Sequence, residues 1–445
     1  MASTCANLSR LIALLVVLGV ARCRNLTVHI HWFYPSFSLG GYSSEGTGFV
    51  LPLNDILRAP GYATRSLSIT HHGDGINHDF VRGLDAGTLR TLSTLQNSAE
   101  PAADYKVVVC HSEPGAWNVD GGPRWDTSLC PPKGFKKSPL NNVIAVGRTM
   151  FESDRLPQGW DKRINLMDEV WVPSSFQRDI FENGGVKVPI RVLEETVDVD
   201  YFDPDRVEKP FDLGIDVGDG EDRPFVFLSV FKFEARKGYD ILLPTYFETF
   251  DKDSNVLLVL LVSDYHSSGR ADIESFCESR GYDLDALPPL RILHSVPQSS
   301  LASLYKAADV FVLPSRGEAW GRPHVEAMSM GVPIIATNWN GPTEYQDNNN
   351  SFPLEVESMV RVDSGPFEGH YWAEPSSLHL ARIMKDVVGD LAGVRAKGEK
   401  ARATMMEKFR PHLLAEKILD MVEAVVEERE SARMESTLTP RSTEL

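Results

Sequence analysis

The chain is short of cysteine, short of basic charge, and without an apolar run long enough to cross a bilayer. Each shortage removes a class of protein. Five cysteines in 445 residues are too few for a disulfide scaffold. Lys and Arg number 45 against 62 Asp and Glu, a net charge of -17, which excludes a general nucleic-acid binder but leaves room for a local basic pocket. The longest N-terminal apolar run, residues 11–21, falls short of the roughly 20 residues of a membrane-spanning helix. No cluster with metal-ligand spacing stands out, and His71, His72 and His78 read as polar loop residues. What is present is ample core material: 42% hydrophobic residues, with 24% charged and 9% aromatic, a composition unlike that of a disordered chain.

Arg10 precedes the apolar run, and Gly19 and Ala21 supply small residues before a cut. Residues 1–23 therefore read as a signal peptide or short anchor. The expected compartment is the secretory pathway, the ER or Golgi lumen, with secretion as the alternative and membrane association near the N-terminus if the leader stays. Cys110 and Cys130 bracket a Gly/Pro-rich loop and could pair in an oxidising lumen, whereas Cys277 has no obvious partner. Glycosylation triplets begin at Asn25 and Asn349.

Short buried-looking strands alternate with helical stretches, as in a layered α/β domain. The strands expected in the first half are residues 26–31, 105–110, 142–146, 169–172 and 190–193. Residues 35–48 read as a Gly/Ser-rich turn, with a helix starting at Phe49 and Pro52 delaying it. An acidic, Gly/Pro-punctuated stretch at 203–222 reads as linker or exposed turn. The alternation then restarts, with strands at 225–230, 256–262, 290–293, 310–313 and 332–336 and helices at 240–250, 300–308 and 324–330. A helix at 372–388 and another ending near Glu430 follow. The expected division is a leader (1–23), a first α/β domain (24–205), a linker (206–223), a second α/β domain (224–390), C-terminal helices (391–430) and a polar tail (431–445).

Two constellations carry chemistry. After the strand at 310–313, Glu318 sits at the strand exit and Glu326 lies in the first turns of the following helix. Two acceptors can then share one cleft wall while Gly321 and the first helical amides approach a phosphate. Pro323 suits an early helical position because it has no N–H to leave unpaired. The second constellation is Lys232, Arg236 and Lys237 with Gly238, also at a strand exit. It forms a positive cluster in an acidic protein, suited to neutralising a diphosphate leaving group.

These segments resemble the retaining nucleotide-sugar-dependent glycosyltransferases of family GT4, glycosyl transferases group 1. The resemblance rests on Glu318 and Glu326 separated by seven residues, and on Lys232 five positions before Lys237-Gly238. Gly40-Gly41 after the first strand, the loop at His111, and the stretch from Asn340 to Glu344 add to it. It covers about residues 26–425 and is strongest in the second half.

The resemblance implies a GT-B fold, two Rossmann-like domains facing a cleft. Glu318 and Lys237 would be catalytic, with His111 near the donor sugar and acceptor entrance. Glu326 would hold the donor ribose. Lys232, Lys237, Gly321, Arg322 and Pro323 would line the diphosphate site, and Gly40 and Gly41 would let backbone approach a ligand. It implies no permanently bound cofactor and no metal, with a UDP- or GDP-linked sugar as co-substrate. The acceptor would be a glycan, glycoprotein or lipid-linked sugar. Lys232 stands where many members carry Arg, which keeps the charge but loses the bidentate fork. The competing readings are a catalytically inactive nucleotide-sugar-binding or scaffold protein of the same fold, a carbohydrate-binding module, and a phosphorylase. Glu113, Trp117, Glu152 and Arg155 are candidates for acceptor contacts. Trp320 is equally suited to packing and to sugar contact, and His324 reads as a helix-surface residue.

Overall fold

A computed structural model describes residues 26–117, 128–133, 135–138, 140–214, 223–263, 269–283, 286–294, 296–365 and 367–438. The expected leader lies outside these residues. Among the described residues, no helix is long and apolar enough to cross a membrane.

Strands β1 (Val28–Tyr34), β2 (Arg65–His71), β3 (Tyr105–His111), β4 (Val143–Arg148), β5 (Glu169–Val172) and β6 (Ile190–Val192) form a parallel sheet in the order β2-β1-β3-β4-β5-β6. A second parallel sheet contains β7 (Phe225–Lys232), β8 (Val256–Ser263), β9 (Leu290–Leu293), β10 (Val310–Leu313), β11 (Ile334–Thr337) and β12 (Phe352–Leu354). Its order is β12-β11-β10-β7-β8-β9. These are two Rossmann-like α/β domains facing a cleft, the GT-B arrangement. The strands read as continuous apolar runs because helices cover both faces of a parallel sheet: β8 is Val-Leu-Leu-Val-Leu-Leu-Val-Ser, with Leu258, Val259 and Leu260 fully buried.

In each sheet the strand order reverses once, between β1 and β3 in the first and between β7 and β10 in the second. Loops leaving neighbouring strands at such a point diverge to opposite faces and leave a crevice at the carboxyl ends. Gly40 and His111 leave the first crevice; Lys237 and Glu318 leave the second.

The chain passes from one core to the other in a few residues. Leu193 belongs to the first core, while Val197, Val199, Phe202 and Leu213 belong to the second. The described part of the acidic stretch is therefore not an exposed linker: Leu213 is buried and Phe211 packs against the second core. Helix Leu391–Lys408 packs on the second domain through Val394, Ala401 and Met405, whereas helix Pro411–Leu438 returns to the first through Leu414, Ile418, Val422 and Val426.

Four expectations are corrected. The first helix runs Gly41–Leu57 with Pro52 inside it, starting at Gly41 where a turn was expected. The residue whose carbonyl Pro52 cannot bond is Gly48, which lies against Thr196 so closely that a Cβ would come within 2.4 Å of its hydroxyl oxygen. Trp372 belongs to a strand: β13 (Val356–Arg361) and β14 (Tyr371–Pro375) form an antiparallel hairpin, and the helix begins only at Ser377. The final helix continues to Leu438, past the expected start of the polar tail. Arg433 holds its last turns by donating to the Tyr105 hydroxyl. His324 lies in the core rather than on a helix surface.

Cys110 and Cys130 are joined in a disulfide with Cα atoms 5.6 Å apart, and Cys277 is free and buried.

Candidate active site

Local backbone geometry brings the β7 and β10 exits together. Gly238 has φ +69°, and a Cβ there would lie 2.0 Å from the Pro314 carbonyl oxygen. Only glycine permits this approach, which explains the Lys-Gly pair. The preceding residue, Lys237, then reaches across: its Nζ donates to Glu318 Oε1 at 2.6 Å. Arg236 Nη1 donates to the Gly317 carbonyl at 2.6 Å and lies 3.4 Å from Glu318 Oε2. Burial works to raise the Glu318 pKa, but Lys237 and Arg236 more than offset it and hold the carboxyl at about 2. Burial lowers Lys237, assisted by the Arg236 charge and opposed by Glu318. The result is a desolvated ion cluster at the second crevice, in which Glu318 faces Lys237 and Arg236 and the Arg236 guanidinium also meets Glu234 at 3.3 Å and Glu152 at 3.6 Å.

Arg316 fixes the frame around it. Its guanidinium donates to both Asp240 oxygens at 2.8 and 2.9 Å and to both Glu374 oxygens at 2.7 and 3.0 Å, tying the strand exits to the β13–β14 hairpin.

Helix Arg322–Ser329 begins beside Glu318. Gly321, its N-cap, has φ +102°, and a Cβ there would come within 2.4 Å of the buried His324 ring. Arg322 lies 3.5 Å from Glu195, whose carboxyl is pushed up to about 8 by burial and by Glu45 against the pull of Arg322. Glu326 accepts a hydrogen bond from the Tyr305 hydroxyl at 2.9 Å, and burial raises its pKa. Lys232 is half-buried as the last residue of β7.

The first domain closes against this wall. A Cβ on Gly317 would meet the Glu152 carbonyl oxygen at 2.2 Å, and the Glu152 carboxylate lies 3.6 Å from Arg236. Ser175 N–H donates to Glu344 at 2.8 Å, and Gln177 Nε2 donates to Asn340 Oδ1 at 2.7 Å. The hairpin adds a further bridge: Tyr371 N–H donates to Asp154 at 2.7 Å, His370 Nδ1 lies 2.7 Å from Ser153 Oγ, and Phe367 packs on Phe151. Gly40, at φ +148°, starts the first helix, and a Cβ on either Gly40 or Gly41 would meet nothing within 4 Å. Tyr42, one residue on, bonds Thr149 and the Met150 carbonyl, placing that helix end on the wall carrying Glu152.

Lys237, Glu318, Gly321, Arg322, Pro323 and Glu326 thus share one wall of the cleft. His111 is placed differently. Its ring is fully buried: Trp32 Nε1 donates to Nδ1 at 3.1 Å, and Nε2 donates to Glu45 at 2.8 Å. Burial keeps the imidazole below its usual pKa, and Glu45 is shared with Arg148. Both ring nitrogens are engaged, so in this conformation the ring serves to lock the strand ends together. Trp117 packs on Gly147 and donates to Ser112, and Trp320 packs between Tyr345 and Phe409, so both rings are structural. Arg155 pairs with Asp154 over the Tyr371 ring.

In the sequence Arg236 has no more than a share in a basic cluster, yet its guanidinium lies against both walls, beside Glu318 and Glu152. The hairpin is not legible in the sequence because β13 is mostly exposed and β14 buries only Ala373 and Pro375, too few to set an apolar alternation.

The second domain matches a family model: residues 216–353 correspond to "Glycosyl transferases group 1". The chain is thus similar to that family over its second domain, and its two-domain architecture is the GT-B fold. It is 32% identical to the D-inositol 3-phosphate glycosyltransferase of Corynebacterium kroppenstedtii over 59% of this chain and 63% of that protein. It is 25% identical to the protein of the same description from Segniliparus rotundus, over 47% of this chain and 42% of that one. The chain thus spans less than two thirds of the length of these relatives. Among solved structures, Anabaena HepE in complex with UDP superposes with a TM-score of 0.56 at 15% identity, covering 90% of this chain and 100% of that one, a likeness of fold.

Proposed function

We propose that this protein is a retaining glycosyltransferase that moves a sugar from a UDP- or GDP-linked donor to a hydroxyl of a glycan, glycoprotein or lipid-linked acceptor. The observation that carries this reading is the buried Lys237–Glu318–Arg236 cluster at the crevice of the second domain, closed over by the first. Lys237 and Arg236 at this exit and Arg322 at the Gly321 turn are cations that a diphosphate entering there would engage, in exchange for part of their present pairing with Glu318, Glu152, Glu234 and Glu195. In transfer, the bond from the anomeric carbon to the diphosphate oxygen breaks. Lys237, Arg236, Lys232 and Arg322 take up the charge left on the diphosphate. The acceptor oxygen bonds to the same face of that carbon, and its proton passes to the departing phosphate oxygen. Glu318 supports positive charge at the reacting carbon and orients the sugar hydroxyls; Glu326 holds the ribose. Water exclusion comes from the contact of Gly317 with Glu152 and from the hairpin. His111 acts by positioning the strand ends. The chemistry uses no metal. Passage through the secretory lumen is part of the proposal and rests on the leader pattern alone.

The test is a thermal-shift panel with UDP, GDP, ADP and their sugar conjugates. Selective stabilisation by one uridine or guanosine ligand is expected. Because the Anabaena structure contains UDP and the curated relatives are D-inositol 3-phosphate enzymes, UDP-sugars and that acceptor belong in the first assays. Absence of any nucleotide response in a cooperatively melting sample would favour the inert-scaffold alternative. Transfer rates near wild type in folded Glu318→Gln and Lys237→Ala proteins would overturn the mechanism.

A further inference from the structure

We propose that His29, His31 and Glu100 form a divalent-metal site of the zinc class on the first domain, separate from the sugar-transfer cluster. A strand repeats every two residues, so His29 and His31 point to one face of β1 while Ile30 and Trp32 point into the core on the other. One coordinating atom from each of His29, His31 and Glu100 lies within 4.8 Å of the others.

The surroundings have the character of a ligand shell. The neighbouring strand β2 presents hydroxyls to the rings: Ser66 and Ser68 lie 2.9 and 2.8 Å from His29 Nδ1 and Nε2, and Thr70 lies 2.8 Å from His31 Nε2. Thr70 on Nε2 fixes the His31 ring with Nδ1 left for a metal, whereas on His29 metal entry would displace one of the two serine hydroxyls. His31 Nδ1 is left facing Glu100, 2.6 Å from Oε1 but off the hydrogen-bonding direction. The His31 side chain is 8% exposed, so this nitrogen is buried against a carboxylate without an aligned proton.

Two imidazoles and a carboxylate, with water in the fourth place, suit zinc, whereas calcium and magnesium prefer all-oxygen shells. Ligands about 2 Å from zinc in a tetrahedron sit about 3.3 Å apart. Glu100, 44% exposed on a loop, would draw back from His31 Nδ1 by less than about 1 Å, and the three ligand atoms, now within 4.8 Å of one another, would close to that spacing. The competitor is already in place. Lys106 Nζ pairs with the other Glu100 oxygen, and metal entry would turn this ammonium into solvent.

The experiment uses full-length protein without a histidine tag, stripped with chelator, exposed to zinc chloride and desalted. Bound metal is counted by mass spectrometry and the melting temperature is followed. One zinc per chain with a raised melting temperature is expected. Glu100→Gln, at an exposed position that leaves folding intact, should lose most of the zinc. Thr70→Ala should weaken binding by about 10-fold or more. Lys106→Gln should strengthen it, an effect no purely structural role of the histidines would give. His71→Gln/His72→Gln should leave it unchanged. Well under one equivalent in wild type, or an unaltered content in Glu100→Gln and His31→Gln, would overturn the proposal. Nucleotide binding is read separately and does not bear on it.

Discussion

Replacing Glu318 by Gln removes the carboxylate from a site where its side chain is 8% exposed and that of Lys237 is 13% exposed. Lys237 loses its partner at 2.6 Å, and Arg236 loses one at 3.4 Å but keeps its bond to the Gly317 carbonyl. Breaking a buried pair from one side costs about 3–5 kcal/mol because a buried charge is left uncompensated. An upper limit comes from the lysine itself, since it can shed its proton. From an unperturbed pKa near 10.4, neutralisation at pH 7 costs about 4.6 kcal/mol, and less here because burial already lowers the Lys237 pKa. The expected loss for Glu318→Gln is therefore about 3–4 kcal/mol at pH 7, read by urea denaturation. It should shrink toward pH 9, as the orphaned lysine sheds its proton more readily. The double variant Glu318→Leu/Lys237→Met, which removes both charges, should recover much of the stability while remaining inactive. A loss below about 1 kcal/mol, or one independent of pH, would refute the account of the cluster as a desolvated pair.

Three further outcomes follow. Gly238→Ala places a Cβ 2.0 Å from the Pro314 carbonyl at φ +69°, so it should cost at least about 2 kcal/mol and abolish transfer by parting Lys237 from Glu318; unchanged denaturation and rate would contradict this. Gly317→Ala, against the Glu152 carbonyl at 2.2 Å, should open the cleft with little effect on either core; X-ray scattering should register a larger radius of gyration, and an unchanged radius with full activity would exclude the contact as the closure point. On acidification, the Glu318 carboxyl, held at about 2 when folded, contributes stability that is complete above about pH 4.5. About 3 kcal/mol should be lost as pH falls from there toward 2, and Glu318→Gln should flatten that limb of the curve.

Much of the active-site wall could be read from the chain because its parts are local. A strand exit followed by Glu318, Gly321, Pro323 and Glu326 spells a strand–turn–helix unit, and Lys237-Gly238 spells a tight exit. Each is fixed by backbone sterics within a few residues of itself. The alternation of strands and helices likewise announced two parallel α/β layers. What the chain order could not announce was register between distant segments. That His111 spends both ring nitrogens on Trp32 and Glu45 depends on residues 79 and 66 positions away, and a histidine at a strand end reads the same whether buried or open.

The same limit explains the hairpin and the His29–His31–Glu100 group. Residues 356–375 lie between elements with no strong apolar period, so only docking on Phe151, Ser153 and Asp154 gives them a defined role. Two histidines in alternation on β1 look like ordinary strand polarity until the loop carrying Glu100 folds back over them. The acidic stretch after residue 203 reads as linker by composition, yet Leu213 is buried because the second core needs an apolar side chain there. Sequence alone determined the two-domain α/β plan and the residues of the two strand-exit turns, through local sterics and hydrophobic period. Tertiary structure decided which charges meet, which are desolvated, and how the two domains touch, because those depend on packing between segments far apart in the chain, 81 positions for Lys237 and Glu318 and 163 for Gln177 and Asn340.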